Sequence, residues 1–487
     1  MRPWLKISLL AVAAFGACWM GAVWYWRETR RMPNSDDLVI YLLVLPLLVL
    51  AVIGLAVWVG RKVLAASAAS AAASAMAVSA AEAPAAAPAA AAQPLTILAG
   101  ALRMPHGDSA AQLADAMLSR RVSLELDTEL QNDSGYPILA GRIADVDGAA
   151  QADEMADWLA EHHPEAQFEE EQWRALALGS SITAELALEL APHPALPAYL
   201  QAVAAGKAPP PLPQLQLLAL MPPEWAPAEQ LAGAQWLRQL VVRAGWPDAR
   251  LAPAVAVAAA QLPLVQLGQM VHLAQLSQLS QMEEPGRDAG QPLLCLMVAC
   301  HSRIGAGSVD DWAGKAILFD SDHPHGRIPG EGAAGLLLAD RGQASLFDLS
   351  GAALLYPPAS AMRGASADGK ARGDTDLLVE LAGKALTTAQ VDPAAIATLT
   401  SDSDQRPSRM GEMLGMATKI TPELDPGEVL NVTAACGDAG AVATMAALVL
   451  AQQQVKAGAG PALCVSNIDP FHRGAVLLIA ATLADAA

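Results

Sequence analysis

At 319–340 the chain reads FDSDHPHGRIPGEGAAGLLLAD, a polar turn rich in His and Asp that gives way to glycines and then to an unbroken apolar run. The GEGAAG step is not a phosphate loop. No Lys-Ser/Thr follows it to meet nucleotide phosphates and magnesium, and it leads an apolar strand rather than a helix. Glycine and alanine at the head of a strand let backbones pack closely. The same rhythm occurs twice: PLLCLMVACHSRIG at 292–305 precedes GEGAAGLLLAD at 330–340, and PALCVSNIDPFHRG at 461–474 runs into GAVLLIAAT at 474–482. Each copy is a β-like apolar run, a polar turn with His and Arg before Gly, and a glycine-led strand. Two similar halves, each ending in a buried hairpin, are therefore expected. Elsewhere, short apolar runs such as 95–98 and 215–220 alternate with amphipathic stretches such as 110–118 and 440–453, the pattern of a layered α/β fold. Residues 95–487 also exceed one ordinary core, which again argues for two packed halves.

Upstream of residue 95 the composition changes. Of the 487 residues 53% are hydrophobic and only 16% charged, and two uncharged runs of 20 and 23 residues, at 7–26 and 38–60, are each long enough to cross a bilayer. Trp4, Trp19, Trp24, Tyr25, Trp26, Tyr41 and Trp58 lie mostly near the ends of these runs, where amphipathic rings favour the interface. Cleavage of the first run as a signal peptide would need a shorter apolar core and a small-residue site. A two-helix transmembrane anchor over 1–64 is therefore expected. Arg2, Lys6, Arg61 and Lys62 flank the pair on one side and Arg27, Arg30 and Arg31 lie between them, so the positive-inside rule places the bulk of the chain in the cytoplasm. Residues 65–94, almost wholly Ala, Ser and Pro, read as a tether.

The net charge is −19, and a surface so acidic repels phosphate backbones, which argues against nucleic-acid binding. The five cysteines show neither metal spacing nor a disulfide framework.

Four blocks resemble the β-ketoacyl synthases of the thiolase superfamily. The 319–340 segment is similar to their FDxxxDGFVxGEGAGxLVLE, and SNIDPFHRGAVLL at 466–478 to their SNSFGFGGTNAxLVL. TILAGALRMPHGDSAAQLADAML at 96–118 is similar to their opening strand, loop and helix, and GDAGAVATMAALVLA at 437–451 to GAAGAVxAIxSVLAL. The blocks occur in the family's order. The resemblance implies a thiolase-like α/β/α/β/α domain with an N-terminal half at 95–355 and a C-terminal half at 356–487, and a homodimer formed through edge strands.

The chemistry departs from that family. Its members use a cysteine at a helix N-terminus, tens of residues before the strand at 292–300, together with two histidines. No cysteine lies between 95 and 291. Laying IATLTSDSD at 396–404 on the family's NAHGTGT strand puts Asp402 or a neighbour where the first histidine belongs. Laying TAACGDAGA at 433–441 on GHLLGAAGA puts Ala434 in place of the second, with Val429 rather than lysine five positions before it. The resemblance thus implies a ketosynthase-like pseudoenzyme with no catalytic, cofactor or metal residues.

Other groups are set against their plain readings. Cys300, His301, His323 and His325 could be drawn as a zinc cluster, but Cys295 and Cys300 lie in an apolar run that reads as core. Cys436 precedes a predicted helix and would be the relocated nucleophile of an acyl-binding or acyltransferase enzyme. The acidic run at 153–173 reads as a solvated amphipathic face, with an acidic docking surface as the alternative.

An anchor, a tether and a thiolase-like domain without its catalytic groups also resemble a proteobacterial family of type VI secretion lipase adapters. That resemblance implies a non-catalytic adapter or chaperone at the bacterial inner membrane, whose partners are a lipase effector and a secretion-spike protein.

Overall fold

The computed structural model describes residues 93–481, apart from 133, 145, 147–148, 259–261, 284–291 and 370–373. The expected spans at 7–26 and 38–60 and the tether up to residue 92 lie outside the described residues. Among the described residues no helix is long and apolar enough to cross a membrane.

Strand β1 (Leu95–Arg103) leads to helix α1 (Ala110–Leu118), which starts where Ser109 Oγ accepts the Gln112 N–H. Strands β2 (Glu125–Gln131) and β3 (Pro137–Ala140) pair as a separate antiparallel hairpin. Helices α2 (Ala149–His162), α3 (Glu170–Leu188) and α4 (Leu196–Ala204) follow, then β4 (Leu215–Met221), α5 (Pro227–Arg243), β5 (Val255–Ala258) and α6 (Pro263–Glu283). Next come β6 (Leu294–Ser302), α7 (Ala306–Gly314), β7 (Glu331–Ala339), α8 (Arg341–Ala344), β8 (Ala353–Leu355) and β9 (Ala359–Met362). The chain ends with α9 (Asp376–Ala389), β10 (Thr398–Ser401), α10 (Pro407–Ile420), β11 (Val429–Asn431), α11 (Val432–Cys436), α12 (Ala441–Lys456), β12 (Ala462–Ser466) and β13 (His472–Ala480).

The main sheet runs β11-β10-β12-β13-β8-β1-β7-β6-β4-β5, with β9 paired to β13 off this path. Its two ends repeat one pattern. β5, β4 and β6 are parallel and β7 turns antiparallel beside β6; β11, β10 and β12 are parallel and β13 turns antiparallel beside β12. The two hairpins read from the repeated sequence are therefore present, in register from Leu294↔Ala339 to Ser302↔Glu331 and from Ala462↔Leu478 to Ser466↔Gly474. The expected polar turns differ in detail. His301 still belongs to β6, and His472 and Arg473 already open β13, because the ladder extends past the apolar run in each case. β8, at the expected boundary between halves, pairs with β1 on one side and β13 on the other.

Every position of β6 and β7 is buried, as both faces of these strands are covered. One face meets an apolar cluster holding Leu264 and Met270 of α6 and the run from Val442 to Ala451 of α12; Leu430, Cys464 and Val476 from the other end of the sheet join the same cluster. A helix apolar all round must be enclosed, and α12 is. The outer face of β4, β6 and β7 packs on α2, α3 and α5, and the outer face of β10, β12 and β13 on α9 and α10. The fold is thus mixed α/β, with helices packed on both faces of one long sheet.

The small residues of 330–335 serve close packing. A Cβ on Gly332 would lie 2.3 Å from Met104 Sδ and 2.8 Å from the Arg103 carbonyl, and one on Gly335 would lie 2.8 Å from Leu186 Cδ1. Just before Gly332, Glu331 is fully buried and accepts from Arg174 Nε and Nη2, Ser302 Oγ and the Ile143 N–H. The acidic run at 153–173 divides between α2 and α3. Asp153, Asp157, Glu161, Glu165, Glu169 and Glu170 are exposed, whereas Glu171 turns inward to accept from Ser308 Oγ beside the start of α7. Burial lifts its carboxyl above the usual range.

Candidate functional site

Asp402 follows the last residue of β10 and is fully buried. Its Oδ2 accepts from Thr444 Oγ1 of α12 at 2.7 Å and from Ser466 Oγ of β12 at 2.5 Å. Its Oδ1 accepts from the Asn467 and Ile468 N–H groups at 2.8 and 3.2 Å. Burial pushes the carboxyl above the usual range, and the four hydrogen bonds oppose that. A carboxylate offers about four acceptor positions, so this one is saturated and acts as a pin between β10, β12 and α12 rather than as an open base. Ser403 continues the network through Asn467 Oδ1 at 2.6 Å, and its carbonyl accepts the Ala434 N–H at 3.1 Å. The positions laid on the family's histidines, Asp402 and Ala434, therefore lie close together, one just past β10 and the other within α11, and neither carries an imidazole.

Cys436 is buried, its Sγ 3.4 Å from the Pro105 carbonyl, and burial pushes the thiol up to about 12. It ends the five-residue α11, while the next helix begins only at Ala441. The activation expected of a cysteine at a helix start is thus absent, since a helix C-terminus disfavours a thiolate. Cys295, Cys300 and Cys464 are likewise buried, each thiol pushed to about 12.

The cluster drawn from Cys300, His301, His323 and His325 does not assemble. Cys300 lies inside β6, His301 Nε2 pairs with Glu224 Oε1 at 2.7 Å, and His323 Nδ1 pairs with Asp320 at 3.0 Å. Among the described residues no three His, Cys, Asp or Glu side chains are grouped to hold a metal ion. Burial opposes ionisation of Glu224, but the hydrogen bond from His301 and the charges of His301 and Arg303 outweigh it and bring that carboxyl down to about 2.

A set of buried charges at the start of α10 went unread in the sequence. Arg409 is fully buried, donating to Asp368 Oδ1 at 2.7 Å and to the Ile468 carbonyl at 3.1 Å. Arg406 holds Asp404 Oδ2 through Nε at 2.6 Å and Asp368 Oδ1 through Nη1 at 2.7 Å. Glu412 Oε1 accepts from Arg473 Nε and Arg363 Nη1, both at 2.8 Å. Burial and then the neighbouring Arg406 charge lower the pKa of Arg409. Beside this set His472 is buried with no partner on either ring nitrogen, and burial brings its pKa down to about 4. The available signal was the charge density of SDSDQRPSRMGE at 401–412 within an apolar domain, with Pro407 marking a helix start. Above Arg406 opens a cleft of about 570 Å³, walled by the 316–327 turn, residues 367–369 and the first residues of α10.

No protein-family model matches the chain, and no curated protein matches it. Solved structures do. The oxazolomycin ketosynthase domain of Streptomyces albus is 14% identical over 80% of this chain and 75% of its own, with a TM-score of 0.55. The ketosynthase from module 6 of the bacillaene synthase of Bacillus subtilis is 12% identical over 80% and 72%, with a TM-score of 0.53. The ishigamide ketosynthase/chain length factor is 13% identical over 80% and 100%, with a TM-score of 0.51. At such identity the likeness establishes a ketosynthase-like fold and nothing about activity.

Proposed function

We propose that the chain binds an acyl thioester on a ketosynthase-like fold without condensing it. The observation that carries this reading is the state of three residues: Asp402 has every acceptor position filled, Ala434 is apolar, and Cys436 is held as a thiol at about 12. Covalent transfer needs a thiolate and a base, and these residues present neither. The thioester class comes from the chemistry of the ketosynthases that the fold resembles.

The test uses purified full-length protein with acyl-CoA and malonyl-CoA. Saturable binding without release of free CoA, and without acyl mass on the peptide containing Cys436, supports the reading. Stoichiometric acylation of Cys436 replaces it with an acyltransferase. The escort role suggested by the sequence layout rests on residues 1–94 and on the lost catalytic groups, and no surface feature of the described fold favours it. Co-purification of a lipase effector or spike subunit with the tagged chain, abolished by deleting 95–487, is its test.

A further inference from the structure

We propose that His301 is a proton-sensitive clasp that holds the start of α12 against the ends of β4 and β6 and releases it in mild acid. The first argument is confinement. His301 is 2% exposed and lies near the end of β6, and its Nε2 is 2.7 Å from Glu224 Oε1 in the loop after β4. The other edge of the ring meets Gly440, the residue from which α12 starts: a Cβ there would lie 2.6 Å from Nδ1 and 3.2 Å from Cε1. The imidazole is therefore wedged between a loop at one end of the sheet and the central helix that follows β11 at the other.

The second argument is the charge on each side of the ring. Toward Nε2 stands the Glu224 carboxylate, which Arg303 Nη1 shares at 3.0 Å. Toward Nδ1 stands the positive end of α12, a 16-residue helix with no acidic residue in its first turn. The Arg303 guanidinium is on that side too, its Nη2 3.8 Å from where a Cβ on Gly440 would be. The acid there is Asp438, whose Oδ1 accepts the Gly440 N–H at 2.9 Å and whose Oδ2 is 3.4 Å from Arg327 Nη1. Glu171 of α3 adds its charge beside Arg303 and Glu224. A second proton on the ring would thus be enclosed beside a guanidinium and a helix start, away from water. Burial first and Arg303 second lower the pKa of His301.

Moving the start of α12 off the ring admits water, and an imidazole in water takes up its proton near about 6.5. The opened form then binds more protons than the closed one below that pH, so the closed form loses stability as pH falls. What opens with it is the Gly440 N–H bond to Asp438 and the Asp438 pairs with Arg303 and Arg327.

This device is independent of the thioester reading. The test is amide hydrogen exchange of the full-length protein in mild detergent at pH 7.5 and 5.5, corrected for intrinsic rates. It is followed on peptides covering 437–443 and, as a reference, 376–389 of α9. An imidazole that titrates normally only once open predicts about tenfold more opening of 437–443 at the lower pH, with the reference unchanged. His472 titrates at about 4, below this window. His301→Gln keeps a donor toward Glu224 without a titrating ring and should abolish the difference. Equal exchange of 437–443 at both pH values in the wild type overturns the clasp, as does an equal rise in the reference segment. A difference that survives in His301→Gln overturns it too and assigns the titration to another group, Glu171 first.

Discussion

Replacing Glu331 by Gln keeps the side chain's shape and removes its charge. Glu331 accepts from the Ile143 N–H at 2.8 Å, Ser302 Oγ and Arg174 Nε at 2.9 Å each, and Arg174 Nη2, with no exposure to water. A glutamine has one acceptor oxygen, so its amide nitrogen must face a donor. Breaking a buried ion pair from one side costs about 3–5 kcal/mol. The side chain of Arg174 is 19% exposed and that of Glu331 is not exposed at all. An orphaned Arg174 thus reaches some water, which puts Glu331→Gln near about 3 kcal/mol, whereas Arg174→Met strands a fully buried carboxylate and belongs near about 5 kcal/mol. The double variant leaves neither charge and should cost about 2 kcal/mol less than the sum of the singles. Urea unfolding of the three variants in mild detergent, with refolding checked, measures this through the transition midpoints. A cost below about 1 kcal/mol for Glu331→Gln, or strict additivity in the double variant, refutes the reasoning.

Three further outcomes follow from the same geometry. His472 stays neutral in the fold down to about pH 4, while the unfolded imidazole takes up a proton near 6.5. The unfolded state therefore binds more protons between those values, and stability falls by about 3 kcal/mol as pH drops through the window; His472→Leu should flatten that slope in pH-dependent thermal unfolding. A Cβ on Gly141 would sit 1.8 Å from the Cys436 carbonyl oxygen, so Gly141→Ala must displace backbone. A loss of about 3 kcal/mol is expected, and a midpoint unchanged in denaturant would contradict the packing. β5 is an uncharged edge strand with Val255 exposed, a template for pairing with a second copy. Val255→Lys should shift the full-length protein from dimer to monomer in light scattering, and a wild type that is already monomeric discards that pairing.

How far the sequence could be read depends on the range of the interaction. The hairpins built on 292–305 with 330–340 and on 461–482 were legible because apolar alternation and glycine placement are local signals. The helix at 110–118 was legible too, its amphipathic pattern being contiguous in the chain. The absence of a cysteine between 95 and 291, and of histidine at Asp402 and Ala434, could also be read directly. The protonation of Cys436 could not, because it depends on burial in a core drawn from remote segments. The arginine set was missed for the same reason: Arg409 meets Asp368 across 41 residues of chain, and Arg473 meets Glu412 across 61.

The stretch at 319–340 holds both kinds of information. Its glycines and leucines determined by themselves that a buried strand would form there, since close packing and burial of apolar side chains are demanded by the residues whatever their neighbours. Whether Glu331 within that strand would be a stranded charge or a fixed ion pair was decided only by folding, which brings Arg174 to it across 157 residues. The energy of a charge is set by the dielectric and the partners around it, and those exist only once distant segments have packed together.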